Sequence, residues 1–599
     1  MPSGRYIQVI LPLRLEWEPC YCLPEGEKAR VGQRVLVPLS GKRYVGVVSA
    51  VDVVPDIDPS RILLVISTGT GLEDITEDEI SFWRWMASYY LCTVGEVYKA
   101  AYPSAKRLGE ETVARSRKRR DALREKTMDL YMKRLSALQD HLSRKQASLG
   151  KHANPETKVH RAIVARIESL KLESEALRTK ISALEAGAQG PADLFLNSAP
   201  AKKKASKPLL FLSSEREDRY ILEARKEMES GRSVLILVPE IKRASILKER
   251  LGREFGTDLL LFHSKLTQAG RRSVAEKLRE GRPCVVLGTR SSLFLPFGTL
   301  GLVIVDDEQD PSYKVSDGAP RYNCRDSAIA LASSKCADVI LGSVCPSLES
   351  SLNAVSGKYR LEDARSGIAN EAEIIDVKAE KRKRGMDGPL SFKLRDAVSE
   401  TVASGKKAVL LAPSWLLDEL GSRISASFPG SGLSIRISNI NTSKWLEEDN
   451  VGLVAILGAD SMLSREDFRA DERALQILSV YRSVSPEGRF IIQTSRSDHP
   501  VYNLSSGTEK KLLAERKAFS FPPYTRLVDV RCPDASIAGM LQNALDPSCN
   551  LLAMPDRVRI FLPRDPALAS RKETIRKVCS AFEKQHGRKV PLIIDVDPA

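Results

Sequence analysis

Apolar positions in this chain recur with different periods in different stretches, and the periods mark out its elements. Between residues 208 and 341, short runs rich in β-branched residues alternate with helix-period segments: Pro208–Leu212, Ser233–Pro239, Pro283–Leu287, Leu302–Val305 and Ala337–Leu341. Runs this short and this apolar read as strands buried on both faces, and their alternation with helices predicts a parallel sheet wrapped by helices. A second series, Lys407–Leu411, Val451–Leu457 and Phe490–Thr494, predicts another such sheet. Near the N-terminus, Arg34–Pro38 and Tyr44–Val48 flank Ser40-Gly41-Lys42-Arg43, a hairpin signal, and a helical stretch follows at Ile80–Tyr90.

The interval 106–205 follows a third rhythm. Met128, Tyr131, Leu135, Leu138 and Leu142 form a heptad seam, as do Ile163, Ile167, Leu170, Leu177, Ile181 and Leu184. A Gly/Pro break at 150–155 separates them, so the pattern predicts a helical hairpin of roughly 20 residues per arm. The basic run Arg115, Arg117, Lys118, Arg119 and Arg120 reads first as a solvated helix face and second as a grip on phosphates. A Lys-rich linker, Pro200–Pro208, ends the interval.

Composition narrows the class. The 599 residues are 28% charged with a net charge of +15, a basic excess that favours a polyanionic partner. No apolar run approaches membrane-span length and the first residues lack a secretory core, so a cytoplasmic, nucleoid-associated location is expected, with no membrane partner. The ten cysteines include no C-x-x-C pair, which reads as reduced thiols filling cores. No metal site, and no zinc, is expected from them.

The chemistry concentrates where Leu302–Val305 ends in Asp306-Asp307-Glu308-Gln309. A buried parallel strand that delivers carboxylates to the carboxyl edge of its sheet is how an NTPase holds Mg²⁺ and its attacking water. A strand followed by an ordinary acidic turn looks the same in isolation. The flanks, Gly288-Thr-Arg-Ser-Ser-Leu-Phe-Leu-Pro-Phe297 and Asp310-Pro-Ser-Tyr-Lys314 with Arg321-Tyr-Asn-Cys-Arg-Asp326, decide between them. Together with Val238-Pro-Glu-Ile241, His263-Ser264, Gly342-Ser-Val-Cys-Pro346, Asp467-Phe-Arg469 and Ile594-Asp-Val-Asp-Pro598, they resemble the primosomal protein N′ (PriA) family of replication-restart DNA helicases. The resemblance covers nearly everything outside 106–205.

It implies an α/β chain with two RecA-like helicase lobes, a β-rich N-terminal DNA-binding domain, an inserted helical hairpin and an α+β C-terminal domain. The expected boundaries are 1–105 for the N-terminal, 3′-end-binding-like domain and 106–207 for the basic hairpin and linker. Lobe 1 is expected at 208–362, lobe 2 at 363–500 and the C-terminal domain at 501–599. By the same resemblance Asp306 and Asp307 stand at the catalytic positions, with Glu308 and Arg482 beside the nucleotide. Arg290, Tyr313, Lys314, Arg321, Tyr322 and Arg325, with Lys42 and Arg43 of the hairpin, are the expected DNA contacts. Arginines interleaved with tyrosines suit single-stranded DNA, by phosphate pairing and base stacking.

Several family features are missing. The strand Pro208–Leu212 should lead into a Gly-rich loop carrying a lysine; Ser213–Tyr220 has no glycine and no lysine but three acids, Glu215, Glu217 and Asp218. Asp307 replaces a glutamate and Gln309 a histidine. The segment that supplies the family's arginine finger aligns with Ser479–Ser485, where Arg482 alone remains. Losing such an arginine costs about 10³ to 10⁵ in rate. The zinc-cysteine interval, Ala412–Ile435, contains no cysteine, and Pro19-Cys-Tyr-Cys-Leu-Pro-Glu25 lacks the family's acid. ATP and Mg²⁺ are therefore cofactors by family alone, expected to be lost.

Three readings follow from these residues. The first is a replication-restart protein that binds forked or single-stranded DNA and recruits primosome or helicase-loading proteins, with impaired ATPase. The second is an active ATP-dependent 3′→5′ DNA helicase. The third is a protein-interaction scaffold built around the hairpin.

Overall fold

The hairpin forms where the sequence places it, with a tighter turn. Arg34–Leu39 pairs antiparallel with Lys42–Val51, and Ser40 and Gly41 both take positive φ (49° and 73°), so a two-residue turn connects the strands. The computed structural model describes residues 6–103, 110–151, 158–185, 206–365, 371–441, 449–463, 467–504, 506–587 and 590–598. The chain divides into two compact units. One holds Met1–Lys203 with Lys265–Cys284 and Phe294–Thr299; the other holds Lys204–Ser264, Val285–Leu293 and Leu300–Ala599.

In the first unit an antiparallel sheet runs in the order Cys20–Cys22, Tyr6–Ile10, Lys42–Val51, Arg34–Leu39. The segment after it spans both sheet edges: Val65 N donates to Cys22 O, and Ile66 N to Leu36 O. Ile7, Val9, Tyr21, Val35, Val37, Val48 and Val65 fill the resulting core. Helices Glu77–Tyr90 and Val94–Ala101 each begin with a capping box, Thr76 with Glu79 and Thr93 with Glu96. The second docks through Gly95, where a Cβ would lie 2.2 Å from the carbonyl oxygens of Leu11 and Leu13.

Helices Glu110–Lys151 and Lys158–Glu185 pack along each other. The first is 42 residues, twice the expected arm, because helix continues through the polar stretch ahead of Met128. Ile163, Ile167, Leu170, Leu177 and Ile181 of the second seam are buried. The side chains of the basic run and most of the Lys-rich linker lie outside the described residues.

The second unit contains two parallel sheets. The first has seven strands, in the order Arg360–Asp363, Leu209–Leu212, Asp338–Ser343, Leu300–Asp306, Ser233–Leu237, Val285–Gly288, Leu259–Phe262. The second has five, in the order Ala372–Asp376, Arg489–Thr494, Val451–Leu457, Lys407–Ala412, Ile435–Asn439. Alternate residues of its strands serve different clusters. Val409, Leu411, Val454, Ile456, Phe490 and Ile492 belong to one, and Ala408, Leu410, Leu453, Ala455 and Ile491 to another. Both faces are therefore packed, as the apolar runs required. A four-stranded antiparallel sheet, Asn550–Met554, Arg557–Pro563, Thr525–Arg531, Ile593–Val596, carries helices Ser536–Ala544 and Leu568–His586. These are RecA-like lobes followed by an α+β domain.

Gly95→Ala forces a methyl group against two carbonyl oxygens, and overpacking of this kind costs about 1–3 kcal/mol. Thermal unfolding of the variant is expected to show a lowered first transition.

Candidate functional site

Strand Leu300–Asp306 is buried along its whole length, so its last side chain enters the sheet's carboxyl edge with no access to water. The chain turns at once. Asp307 takes φ 50°, Asp310 N donates to Asp307 O at 2.8 Å, and the Asp310 side chain caps Ser312 N at 2.8 Å. Aspartate tolerates the left-handed region better than most residues, which suits it to this corner.

Both carboxylates of that corner are already engaged. Arg216, 4% exposed, donates from Nε to Asp306 Oδ1 (2.9 Å), from Nη2 to Asp307 Oδ1 (2.8 Å) and from Nη1 to Ser213 O (2.9 Å). Tyr220 Oη adds a bond to Asp306 Oδ1 at 2.9 Å. Arg243 Nε reaches Asp306 Oδ2 at 2.7 Å, while its Nη2 bonds Glu217 Oε1 at 2.8 Å. Asp306 thus accepts three hydrogen bonds, two of them from guanidinium groups. Burial alone would push its carboxyl up; Arg216 and Arg243 outweigh that and hold it well below the usual range. The same carboxylates keep Arg216 firmly protonated despite its burial.

The neighbouring backbone is shaped for this arginine. Helix Glu217–Glu229 starts directly after Arg216, and a Cβ on Gly342 would sit 1.7 Å from Tyr220 Oη and 3.1 Å from Arg216 Cδ. Only a glycine at 342 leaves room for both side chains. In the loop, Ser213 N donates to Ser343 O, Glu215 N to Ser213 Oγ (3.1 Å) and Arg216 N to Glu217 Oε2 (3.2 Å). A magnesium triphosphate needs open N–H donors at this loop and free carboxylate oxygens opposite it. The residues present do not fit it: those N–H groups are engaged, and a guanidinium lies between the loop and the acids.

Glu308 faces elsewhere. Its Oε1 accepts from Ser347 N (2.7 Å), and its Oε2 accepts from Ser347 Oγ, Ser350 Oγ and Arg325 Nη1, each at 3.0 Å. It braces the start of helix Leu348–Val355. Gln309 Oε1 accepts from Ser343 Oγ at 2.7 Å. Arg482 ends helix Ala470–Arg482, where burial lowers its pKa and Glu371 opposes that; the Asp306 contacts come instead from Arg216, Arg243 and Tyr220.

The expected DNA contacts divide by burial. Tyr313 is fully buried, and its Oη donates into the carbonyls of Leu237 (2.9 Å) and Asp306 (2.7 Å). Lys314 Nζ is held by Arg321 O and Val596 O, each at 2.6 Å, and by Asp595 at 2.8 Å. Tyr322 bonds Arg290 O, and Arg325 is enclosed by Glu308, Asp326 and Ser347. A buried ring offers no face to a base, so these four serve the interior in this structure. Arg290 and Arg321 are half-buried, anchored on Lys314 O and Ser316 O, while Lys42 and Arg43 stand exposed at the hairpin tip. Tyr21 also points inward, onto Pro38 O.

Arg216 is the residue whose role the sequence left open. Its signal was the loop itself: an arginine in place of glycines and lysine, opposite a retained acidic pair. Arg219, the other basic residue there, turns away to Glu223 and Glu362.

Removing one partner from a buried ion cluster leaves an uncompensated charge, worth about 3–5 kcal/mol. Arg216→Met should lower stability by that order in chemical denaturation, and Arg216→Met/Asp306→Asn should recover part of it. Because the folded pKa of Asp306 is depressed, its contribution is full above about pH 4 and is lost as pH falls through the folded value. The acid limb of the stability–pH curve is therefore expected to be shallower in the double variant.

Parts of the chain resemble known proteins. Residues 8–103 match the family model described as 3'DNA-binding domain (3'BD) of PriA. The chain is 24% identical to the replication restart protein PriA of Haemophilus influenzae over 719 aligned residues, covering 96% of this chain and 97% of that one. It is 27% identical to the PriA of Chlamydia pneumoniae over 440, covering 68% and 57%. A structure of RecG bound to a three-way DNA junction aligns with a TM-score of 0.35 at 13% identity, covering 74% of this chain and 58% of that one. The chain thus carries a match to the PriA 3′DNA-binding domain over residues 8–103 and is similar to PriA proteins along nearly its whole length.

Proposed function

We propose that this protein serves replication restart by binding forked or single-stranded DNA and supporting primosome assembly, without ATP turnover. The observation that carries the second half is the guanidinium of Arg216, seated between the phosphate-loop position and Asp306 and Asp307. A cation tethered there neutralises the two carboxylates that would otherwise face Mg²⁺. Entry of a nucleotide would have to expel it from a buried pocket and leave two carboxylates facing the phosphates. The first half is supported by the match of residues 8–103 and by the net charge of +15. On this reading the two lobes act as scaffold for a DNA-holding protein, and loading partners are recruited from its surface.

Nucleotide binding by the purified chain, followed by calorimetry with and without forked DNA, should show no saturable ATP binding at millimolar concentration. A DNA-stimulated hydrolysis rate that Asp307→Asn abolishes would sink the proposal and leave an active helicase. Fork binding itself should weaken steeply with salt, as phosphate neutralisation releases counterions. Lys42→Ala and Arg43→Ala are each expected to weaken binding across sequences and reduce the salt slope by about 1.

A further inference from the structure

The turn that Glu308 braces does more than end a strand. Cys345 and Leu348, from the first lobe, are 2% and 1% exposed because they lie in the hydrophobic cluster of the second lobe, among Val409, Leu411, Ile456 and Tyr481. Polar contacts surround this plug. Leu348 N donates to Glu472 Oε1 at 3.0 Å, and Gln476 Nε2 reaches Pro346 O at 3.4 Å. Arg469 Nη1 bonds Glu349 Oε1 at 3.2 Å. Glu472 Oε2 in turn accepts from Arg516 Nη2 at 3.1 Å, and the same nitrogen bonds Phe468 O at 2.8 Å. Glu472 and Arg516 are about 5% exposed.

Glu472 therefore sits at a hub. It accepts from a backbone N–H of one lobe and from a guanidinium on helix Ser506–Ala518, while its own helix belongs to the other lobe. Separating the lobes would bare an apolar plug and break the Leu348 N–Glu472 bond and the Arg469–Glu349 ion pair. A joint of this kind suits a fixed junction rather than a cleft that opens and shuts.

We infer that the two lobes are locked into one rigid platform by the Cys345–Leu348 plug and its Glu472 hub, whatever the state of the nucleotide position. The joint shares no residue with the Arg216 cluster, so it stands or falls separately from the loss of ATP turnover. Glu308 is a positioning residue for the lock: it holds Ser347 and Ser350, and through them the turn that carries Leu348.

The buried thiol of Cys345 reports on the lock directly. Alkylation of the full-length protein, resolved residue by residue by mass spectrometry, compares it with Cys324 of the first lobe's interior and Cys579 of the C-terminal domain, also buried. In the wild type Cys345 should react no faster than Cys324, with or without forked DNA or Mg–ATP. Glu472→Gln and Glu472→Ala should each accelerate Cys345 at least about tenfold while the other two thiols keep their rates. Selective reactivity of Cys345 in the wild type would overturn the inference, as would an unchanged Cys345 rate in both variants. Should Glu472→Ala expose all three thiols by unfolding, the wild type and the isosteric Glu472→Gln decide the matter.

Discussion

The contact between Arg216 and the Asp306–Asp307 pair sets the terms for the surrounding structure. A strand buried on every residue can end in two carboxylates only if something cancels their charge, because an isolated buried carboxylate is too costly to keep ionised. Arg216, just ahead of helix Glu217–Glu229, and Arg243, on helix Ile241–Phe255, supply that charge, and Tyr220 takes up remaining acceptor capacity. The requirements propagate outward. Gly342 has to lack a side chain, the loop from Ser213 has to be short, and its acids have to cap and orient rather than repel.

An acidic run of three adjacent residues is split between two tasks. Asp306 and Asp307 look back into the sheet edge, while Glu308, past the left-handed corner, looks toward the next strand's exit and holds Ser347. That corner is what separates them. Beyond it, Tyr313 and Lys314 turn inward, Tyr313 bonding two strand ends and Lys314 meeting strand Ile593–Val596. Burial pushes the Tyr313 phenol far up, and it lowers Lys314 against the pull of Asp595, as expected for groups withdrawn from water.

Much of the fold was legible because its signals are local. Leu302–Val305 and Ala337–Leu341 are central strands, packed above and below, and nothing else explains such runs. Edge strands carry less pattern. Arg360–Asp363 is RLED, largely exposed, and a charged edge strand does not look like a strand in sequence. Leu259–Phe262 sits at the other edge and is only half-buried. The site was harder to read. Which residues stand near the acids followed from the motif, but their partners lie far along the chain: Asp306 meets a residue 90 positions earlier, and Lys314 a carbonyl 282 positions later. The family resemblance, with residue type behind it, gave Tyr313, Tyr322 and Arg325 the look of a nucleic-acid surface. In this structure all three are buried.

A guanidinium joined to the chain differs from a bound metal in one respect that matters in a cell. Its concentration at the acids is set by the short link from Ser213, not by the surroundings. Stripping free magnesium with a chelator, or shifting the balance of nucleotide phosphates, changes neither the charge at Asp306 nor the geometry of the strands that meet there. On the proposed reading, the sheet edge that in a motor would register each round of fuel serves this chain as a keystone supplied from within.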